Sequence, residues 1–293
     1  MNSVKFLGLG WEGFTCQISR IREAIKSLGH ELTEDNPDLI YCNDPSVYQR
    51  AIELKKKFPK TILFFNFLDV PWHFPEIEKK MVIVNQLLIH ADIVSVISHK
   101  VKNDLAKFYN GDIEVIYNPS KDVSFDEKIK KNNIFLYVGR ANDKIKRIKL
   151  IKDTFTNNKE SINKIKICGS ENPGFGEYLG VVSDKELNKL YNSSKFVLLP
   201  SKAEGIGLSM IEGMICGAVP ITCSDNLTAK EFSPSKFICE PNPDSLIKKI
   251  KKLEKNYQEN QLLALKYGKK YKVMFNKSSI AMNIINIFNS KNK

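Results

Sequence analysis

Two carboxylates eight residues apart, with glycines between them, carry the most chemistry in this chain. The segment from Leu198 to Gly217 reads LLPSKAEGIGLSMIEGMICG. The apolar run ending at Leu199 predicts a strand. Leu208, Ile211, Met214 and Ile215 recur at helical spacing and predict a helix that begins near Gly207. The loop between them holds Glu204, Gly205, Ile206 and Gly207. Gly205 and Gly207 let a ligand approach the backbone closely. The amides of Gly207, Leu208 and Ser209 open the helix, and such an N-terminus is suited to a diphosphate. Glu212 lies about 7 Å along that helix. One carboxylate can therefore reach a group beyond the phosphate end, and the other a group on its opposite side. Carboxylates hydrogen-bond vicinal hydroxyls well, so a sugar and a ribose are natural clients. Either glutamate alone reads better as a solvated surface group; the combination carries the inference.

A second cluster supports it. Phe135 to Val138 predicts a strand that ends in Gly139-Arg140, with Lys144, Lys146, Arg147 and Lys149 close behind. An arginine and a lysine at a strand's C-terminal end can neutralise a leaving diphosphate as its charge develops.

These groups need a scaffold, and the chain's pattern supplies one. Short apolar runs at Val4–Leu9, Leu39–Tyr41, Ile62–Phe65, Ile93–Ile97 and Ile113–Tyr117 alternate with amphipathic stretches. A glycine-containing turn (Gly8, Gly10, Gly13) follows the first run. The alternation restarts at Ile134–Val138, Ile165–Cys168, Phe196–Leu199, Val219–Thr222 and Phe237–Cys239. Strands alternating with helices predict parallel sheets covered on both faces. The α/β reading is two doubly wound, Rossmann-like domains whose strand ends face each other across a cleft. Residues 1–120 form the first, 121–133 a linker and 134–276 the second. A final helix, 277–293, crosses back to the first.

With 293 residues, 42% of them apolar, the chain can bury a substantial core. No apolar stretch approaches the roughly 18 residues of a spanning helix. The first residues lack a signal-peptide pattern. Six scattered cysteines show no CxxC spacing, which argues for buried thiols in a reducing compartment and against a zinc site. Charge is uneven: net −1 over residues 1–120 and +13 over the remainder. That excess suits a phosphate-bearing partner or an anionic membrane surface. Solvated lysine faces explain it equally well.

The Glu204-to-Glu212 segment resembles the Glu-x7-Glu motif of family 4 retaining glycosyltransferases with the GT-B fold. Val138-Gly139-Arg140 followed by a lysine is similar to that family's phosphate-binding pair, and Ser27 to Leu32 and Ile113 to Pro119 match weaker parts of the pattern. The resemblance implies a metal-free hexosyltransferase. Its co-substrate is a nucleotide-diphosphate sugar, and it needs no further cofactor. Arg140 and Lys146 would bind the diphosphate, with Lys144 the other candidate lysine. Glu204 would contact the transferred sugar and Glu212 the ribose. Gly10 and Gly13 would approach the donor phosphate or the acceptor. The acceptor hydroxyl could belong to a saccharide, a lipid-linked glycan, a protein or a nucleic acid. Polysaccharide or glycoconjugate synthesis at a cytoplasmic site, with peripheral membrane contact, is the implied setting.

The chain departs from the family in three places. A histidine common at the end of a first-domain strand has no clear counterpart; Asp69 and His73 are the candidates. Arg147 stands where a glycine is usual. Ser224-Asp225-Asn226-Leu227-Thr228 replaces a glycine-rich turn. Val70 to Phe74 adds aromatics suited to sugar stacking or a lipid surface. The rival readings are a nucleic-acid-binding or DNA-modifying protein, and a catalytically silent GT-B binding module.

Overall fold

The computed structural model describes residues 1–7, 12–43, 45–68, 77–157 and 162–292. They form two compact units. Residues 1–119 and 274–293 make the first, and residues 120–273 the second.

The first unit holds a six-stranded, wholly parallel sheet in the order β2-β1-β3-β4-β5-β6. Its strands are β1 (Ser3–Leu7), β2 (Glu31–Leu32), β3 (Leu39–Cys42), β4 (Ile62–Phe67), β5 (Ile93–Val96) and β6 (Ile113–Val115). The helices between them are α1 (Glu12–Ser27), α2 (Tyr48–Lys57), α3 (Ile77–His90) and α4 (His99–Leu105). β3 and β4 are buried along their whole length, as expected of central strands covered on both faces. Ile18, Ile21, Ala24 and Ile25 form the buried stripe of α1. That helix stops at Gly29, whose φ of 88° suits a glycine and ends the turn.

The second unit repeats the plan, with order β12-β11-β10-β7-β8-β9 and every pairing parallel. Its strands are β7 (Asn132–Val138), β8 (Ile165–Cys168), β9 (Glu177–Gly180), β10 (Ser194–Leu199), β11 (Val219–Cys223) and β12 (Ile238–Cys239). Its helices are α5 (Ile148–Asn157), α6 (Asp184–Ser193), α7 (Leu208–Ile215), α8 (Leu227–Phe232), α9 (Pro243–Lys255) and α10 (Tyr257–Met274). Phe135 and Phe196 stack across β7 and β10 with centroids 5.2 Å apart. Helix starts follow local chemistry. Ser183 and Glu186 form a capping box on α6, and Asn242 with Pro243 opens α9.

The last helix, α11 (Lys277–Lys291), belongs to the first unit. Ile280, Ala281, Ile284 and Phe288 join Val4, Ile21, Ala24 and Ile25 in one buried cluster.

Several boundaries differ from the sequence reading. Residues 121–131 form no regular element, yet they belong to the second unit and bond into it. Ser124 and Asp126 donate backbone N–H groups to Asn188 and Asn192 of α6. A polar composition looks like a linker, but here its amides find side-chain acceptors. β2 and β9 were not predicted, because two residues and the half-polar EYLG show no apolar run. Gly13, expected in the turn after the first strand, lies in the first turn of α1. Among the described residues no helix is long and apolar enough to cross a membrane.

Candidate functional site

The second unit gathers most of the sequence-picked residues at the C-terminal ends of β7 and β10, the edge where open parallel sheets bind ligands. β10 ends at Leu199, and residues 201–207 form the loop before α7. Gly207 caps the helix with φ 86°, and no side chain takes the capping role. A Cβ there would lie 2.8 Å from Leu199 Cδ2, so the position needs glycine on two counts. The first amides of an α-helix have no intrahelical partner. Those of Leu208 and Ser209 therefore open onto the loop. Gly205 is half-buried, Ile206 is buried, and Leu208 and Ser209 are partly exposed.

Glu204 meets Lys146 within this loop. Lys146 Nζ lies 2.8 Å from each carboxylate oxygen, and the two side chains are 19% and 12% exposed. Lys146 ends a short 3-10 turn, Lys144–Lys146, that follows β7. The Asp143 side chain opens that turn by accepting the Ile145 N–H at 3.0 Å. Ile145 in turn offers its carbonyl to the Lys202 N–H at 2.8 Å, tying the turn to the glutamate's loop. Lys144 is exposed, so of the two candidate lysines Lys146 is the one that reaches Glu204.

Arg140 sits just beyond β7, 48% exposed, with Nη2 2.8 Å from Asp143 Oδ2. The carbonyl of Arg140 accepts the buried Tyr137 hydroxyl at 3.1 Å. Burial, with the Glu204 charge next, pushes the Tyr137 phenol well above its usual range. The backbone at Gly139 runs so close to β8 that a Cβ on Gly169 would lie 2.1 Å from the Gly139 carbonyl oxygen.

Glu212 faces inward from the fifth position of α7 and is only 4% exposed. Its Oε1 accepts the Lys121 N–H at 2.9 Å and its Oε2 accepts the Tyr191 hydroxyl at 2.8 Å. This is no solvated surface carboxylate. Tyr191 is fully buried; burial first, then the neighbouring carboxylate, raises its phenol far above the ordinary value. The sequence reading missed Tyr191, Lys121, Asp143 and Asp225. Tyr191 reads as an apolar position at helical spacing from Leu187, and nothing in that pattern shows where its hydroxyl points.

In the first unit, Gly13 is part of α1, while Gly10, Asp69 and His73 lie outside the described residues, as do Trp72 and Phe74. Phe64, Phe65 and Phe67 are buried in β4. Cys42, Cys168, Cys216, Cys223 and Cys239 are buried thiols outside any disulfide. Among the described residues no group of three or more His, Cys, Asp or Glu side chains is placed to hold a metal ion.

Residues 176–271 match the family model described as "Glycosyl transferases group 1". O-antigen chain mannosyltransferase RfbU of Salmonella typhimurium is 33% identical over 153 residues, 45% of this chain and 42% of that protein. O-antigen chain mannosyltransferase B of Escherichia coli is 37% identical over 70 residues, 24% of this chain and 18% of that protein. The matched stretch thus spans less than half the length of either relative. Sucrose-phosphate synthase of Thermosynechococcus elongatus superimposes with a TM-score of 0.80 at 14% identity, covering 99% of both chains. Anabaena HepE in complex with UDP and glucose superimposes with a TM-score of 0.77 at 15% identity, covering 99% of this chain and 100% of that one. Two parallel six-stranded sheets, each wrapped in helices, and these superpositions establish the fold as GT-B.

Proposed function

We propose that this protein is a glycosyltransferase that moves a hexose from a nucleotide-diphosphate sugar to an acceptor hydroxyl in glycan synthesis. The observation that carries the proposal is the placement of Glu204 and Lys146 beside the open N-terminus of α7, with Glu212 buried in the same helix. The relatives' names, O-antigen chain mannosyltransferases, favour a saccharide acceptor and a mannosyl donor. The complex of Anabaena HepE with UDP favours a nucleoside diphosphate as leaving group.

In this reading the chain carries the Glu-x7-Glu motif of family 4. Arg140, Lys146 and the amides after Gly207 hold the diphosphate and take up its charge as it leaves. That work needs no cation, so the proposed chemistry is metal-independent. Glu204 accepts hydrogen bonds from hydroxyls of the transferred sugar, and Glu212 does the same for the ribose. Tyr191 and the Lys121 amide hold Glu212 in place by donating to its two oxygens.

Transfer proceeds with retention. The bond from the sugar's anomeric carbon to the phosphate oxygen breaks, and the acceptor oxygen bonds to that carbon from the same face. The acceptor's proton passes to the departing phosphate oxygen, and a nucleoside diphosphate leaves. This route uses no protein nucleophile. The first unit is assigned the acceptor, with Asp69 and His73 as candidate groups, and Gly10 and Gly13 approach the donor phosphate or the acceptor.

A thermal-shift screen with UDP-, GDP-, ADP- and dTDP-sugars in EDTA tests the reading. One base should raise the melting temperature of the wild type, and Glu212→Gln should blunt the rise. A melting temperature unmoved by every sugar nucleotide, with metal restored as well, would sink it.

A further inference from the structure

Arg147 directly follows Lys146 and adopts φ 50°, ψ 39°, the left-handed region that side chains rarely occupy. Such a conformation persists only where the surroundings hold it. Here the guanidinium makes two parallel hydrogen bonds to Asp225, Nη1 to Oδ1 at 3.0 Å and Nη2 to Oδ2 at 2.5 Å. Both side chains are mostly covered, at 24% and 35% exposed. A planar fork on a carboxylate fixes orientation as well as distance.

Asp225 lies in the turn between β11 and α8, and its neighbour ties that turn down. Asn226 is fully buried, accepts the Ala229 N–H and donates to the Ser201 carbonyl at 3.1 Å. The Lys202 N–H reaches back to the Ile145 carbonyl at 2.8 Å. The turns after β7, β10 and β11 are thus bonded in a closed ring, and the contact between Lys146 and Glu204 is one of its links.

We propose that Arg147 and Asp225 are a positioning pair, which locks the 144–147 turn so that the Lys146 ammonium is presented to Glu204. The pair acts through Lys146 and touches no reacting group. On the donor-site reading above, on which this last step rests, the same constraint holds Lys146 ready for the diphosphate. Two residues that look unrelated, 78 positions apart, then form one functional unit.

The test is a double-mutant cycle of Lys146→Met with Asp225→Ala, read in two ways. Without ligand, Lys146→Met should lower the melting temperature of the wild type and have little effect once Asp225 is gone. With UDP, GDP and ADP as probes, the base that binds should lose roughly fivefold to tenfold in affinity on Asp225→Ala. Adding Lys146→Met to that variant should bring the loss only to that of Lys146→Met alone. Arg147→Gly relieves the backbone strain yet removes the guanidinium, and should reproduce Asp225→Ala. The swap of Arg147→Asp with Asp225→Arg should recover part of the affinity lost by either change alone. Additive melting-temperature losses would overturn the pair's positioning role, whatever binds. A coupled melting-temperature cycle in a protein that binds no nucleoside diphosphate would keep the positioning pair and remove the donor-site reading.

Discussion

Lys146 Nζ stands 2.8 Å from both carboxylate oxygens of Glu204, so each group of the candidate site already has an opposite charge against it. Removing one partner strands the other at 12% to 19% exposure. Lys146→Met should therefore lower stability by about 1–2 kcal/mol, between the values for exposed and buried pairs. It should also weaken binding of a nucleoside diphosphate by more than about tenfold, a charge-assisted phosphate contact being worth at least that much. Lys144→Met, on an exposed side chain, is the control and should change neither quantity. Equal effects of the two substitutions in calorimetric titrations would argue against Lys146.

Tyr191→Phe removes a hydroxyl that donates 2.8 Å to Glu212 and keeps the ring that fills the core. Stability should fall by about 1–2 kcal/mol, the cost of depriving a buried carboxylate of one donor. The informative readout is ligand choice. Affinity for a nucleoside diphosphate should drop, because Glu212 is assigned to the ribose. Affinity for inorganic pyrophosphate, which has no ribose, should stay. Parallel losses for both would assign Glu212 a structural role only.

Gly207→Ala combines a φ of 86° with a Cβ 2.8 Å from Leu199 Cδ2. We expect a loss of about 1–3 kcal/mol from backbone strain. The start of α7 should shift, and nucleotide-dependent stabilisation should vanish with it. A crystal structure of the variant with an unmoved loop and full nucleotide binding would remove the helix N-terminus from the proposed site.

Burial holds the Lys131 ammonium down to about 7, although it donates to the carbonyls of Tyr191 and Cys216 at 2.7 Å each. An unfolded lysine keeps its proton up to about 10.5. Between those values the unfolded chain binds more protons, so this group's contribution to stability increases as pH rises. The melting temperature of the wild type minus that of Lys131→Met should climb between pH 7 and 8.5. A flat difference across that window would show that Lys131 titrates normally in the folded protein.

Ile284 of α11 is fully buried against α1 in the first unit. Ile284→Ala should cost about 2–5 kcal/mol through lost burial and the cavity left behind. Truncating residues 277–293 should be more damaging still. A melting temperature unchanged by the truncation would contradict the packing of this helix.

Much of the architecture was legible because hydrophobic period reports burial directly. Continuous apolar runs such as Leu39–Tyr41 and Ile62–Phe65, bounded by turn residues, point to strands covered on both faces, and both are. The spacing of Leu208, Ile211, Met214 and Ile215 located α7 within one residue. Short edges such as β9 were lost, because an edge strand buries too little to leave a pattern. The 121–133 segment, read as a linker, misled for the opposite reason. Its polarity belongs to amides and side chains that bond inward to α6 and to Glu212.

The sequence by itself determined most strands of the two sheets, their helices, and the glycine-bearing loop that joins Glu204 to the helix of Glu212. Those follow from local period, glycine placement and charge, which act over a few residues. Only the tertiary structure decided that Lys146 and not Lys144 reaches Glu204, that Tyr191 aims its hydroxyl at Glu212, and that Asp225 clamps Arg147. Each joins residues 21 to 78 positions apart. Such pairings depend on the order of strands in a sheet, and no local pattern records that order.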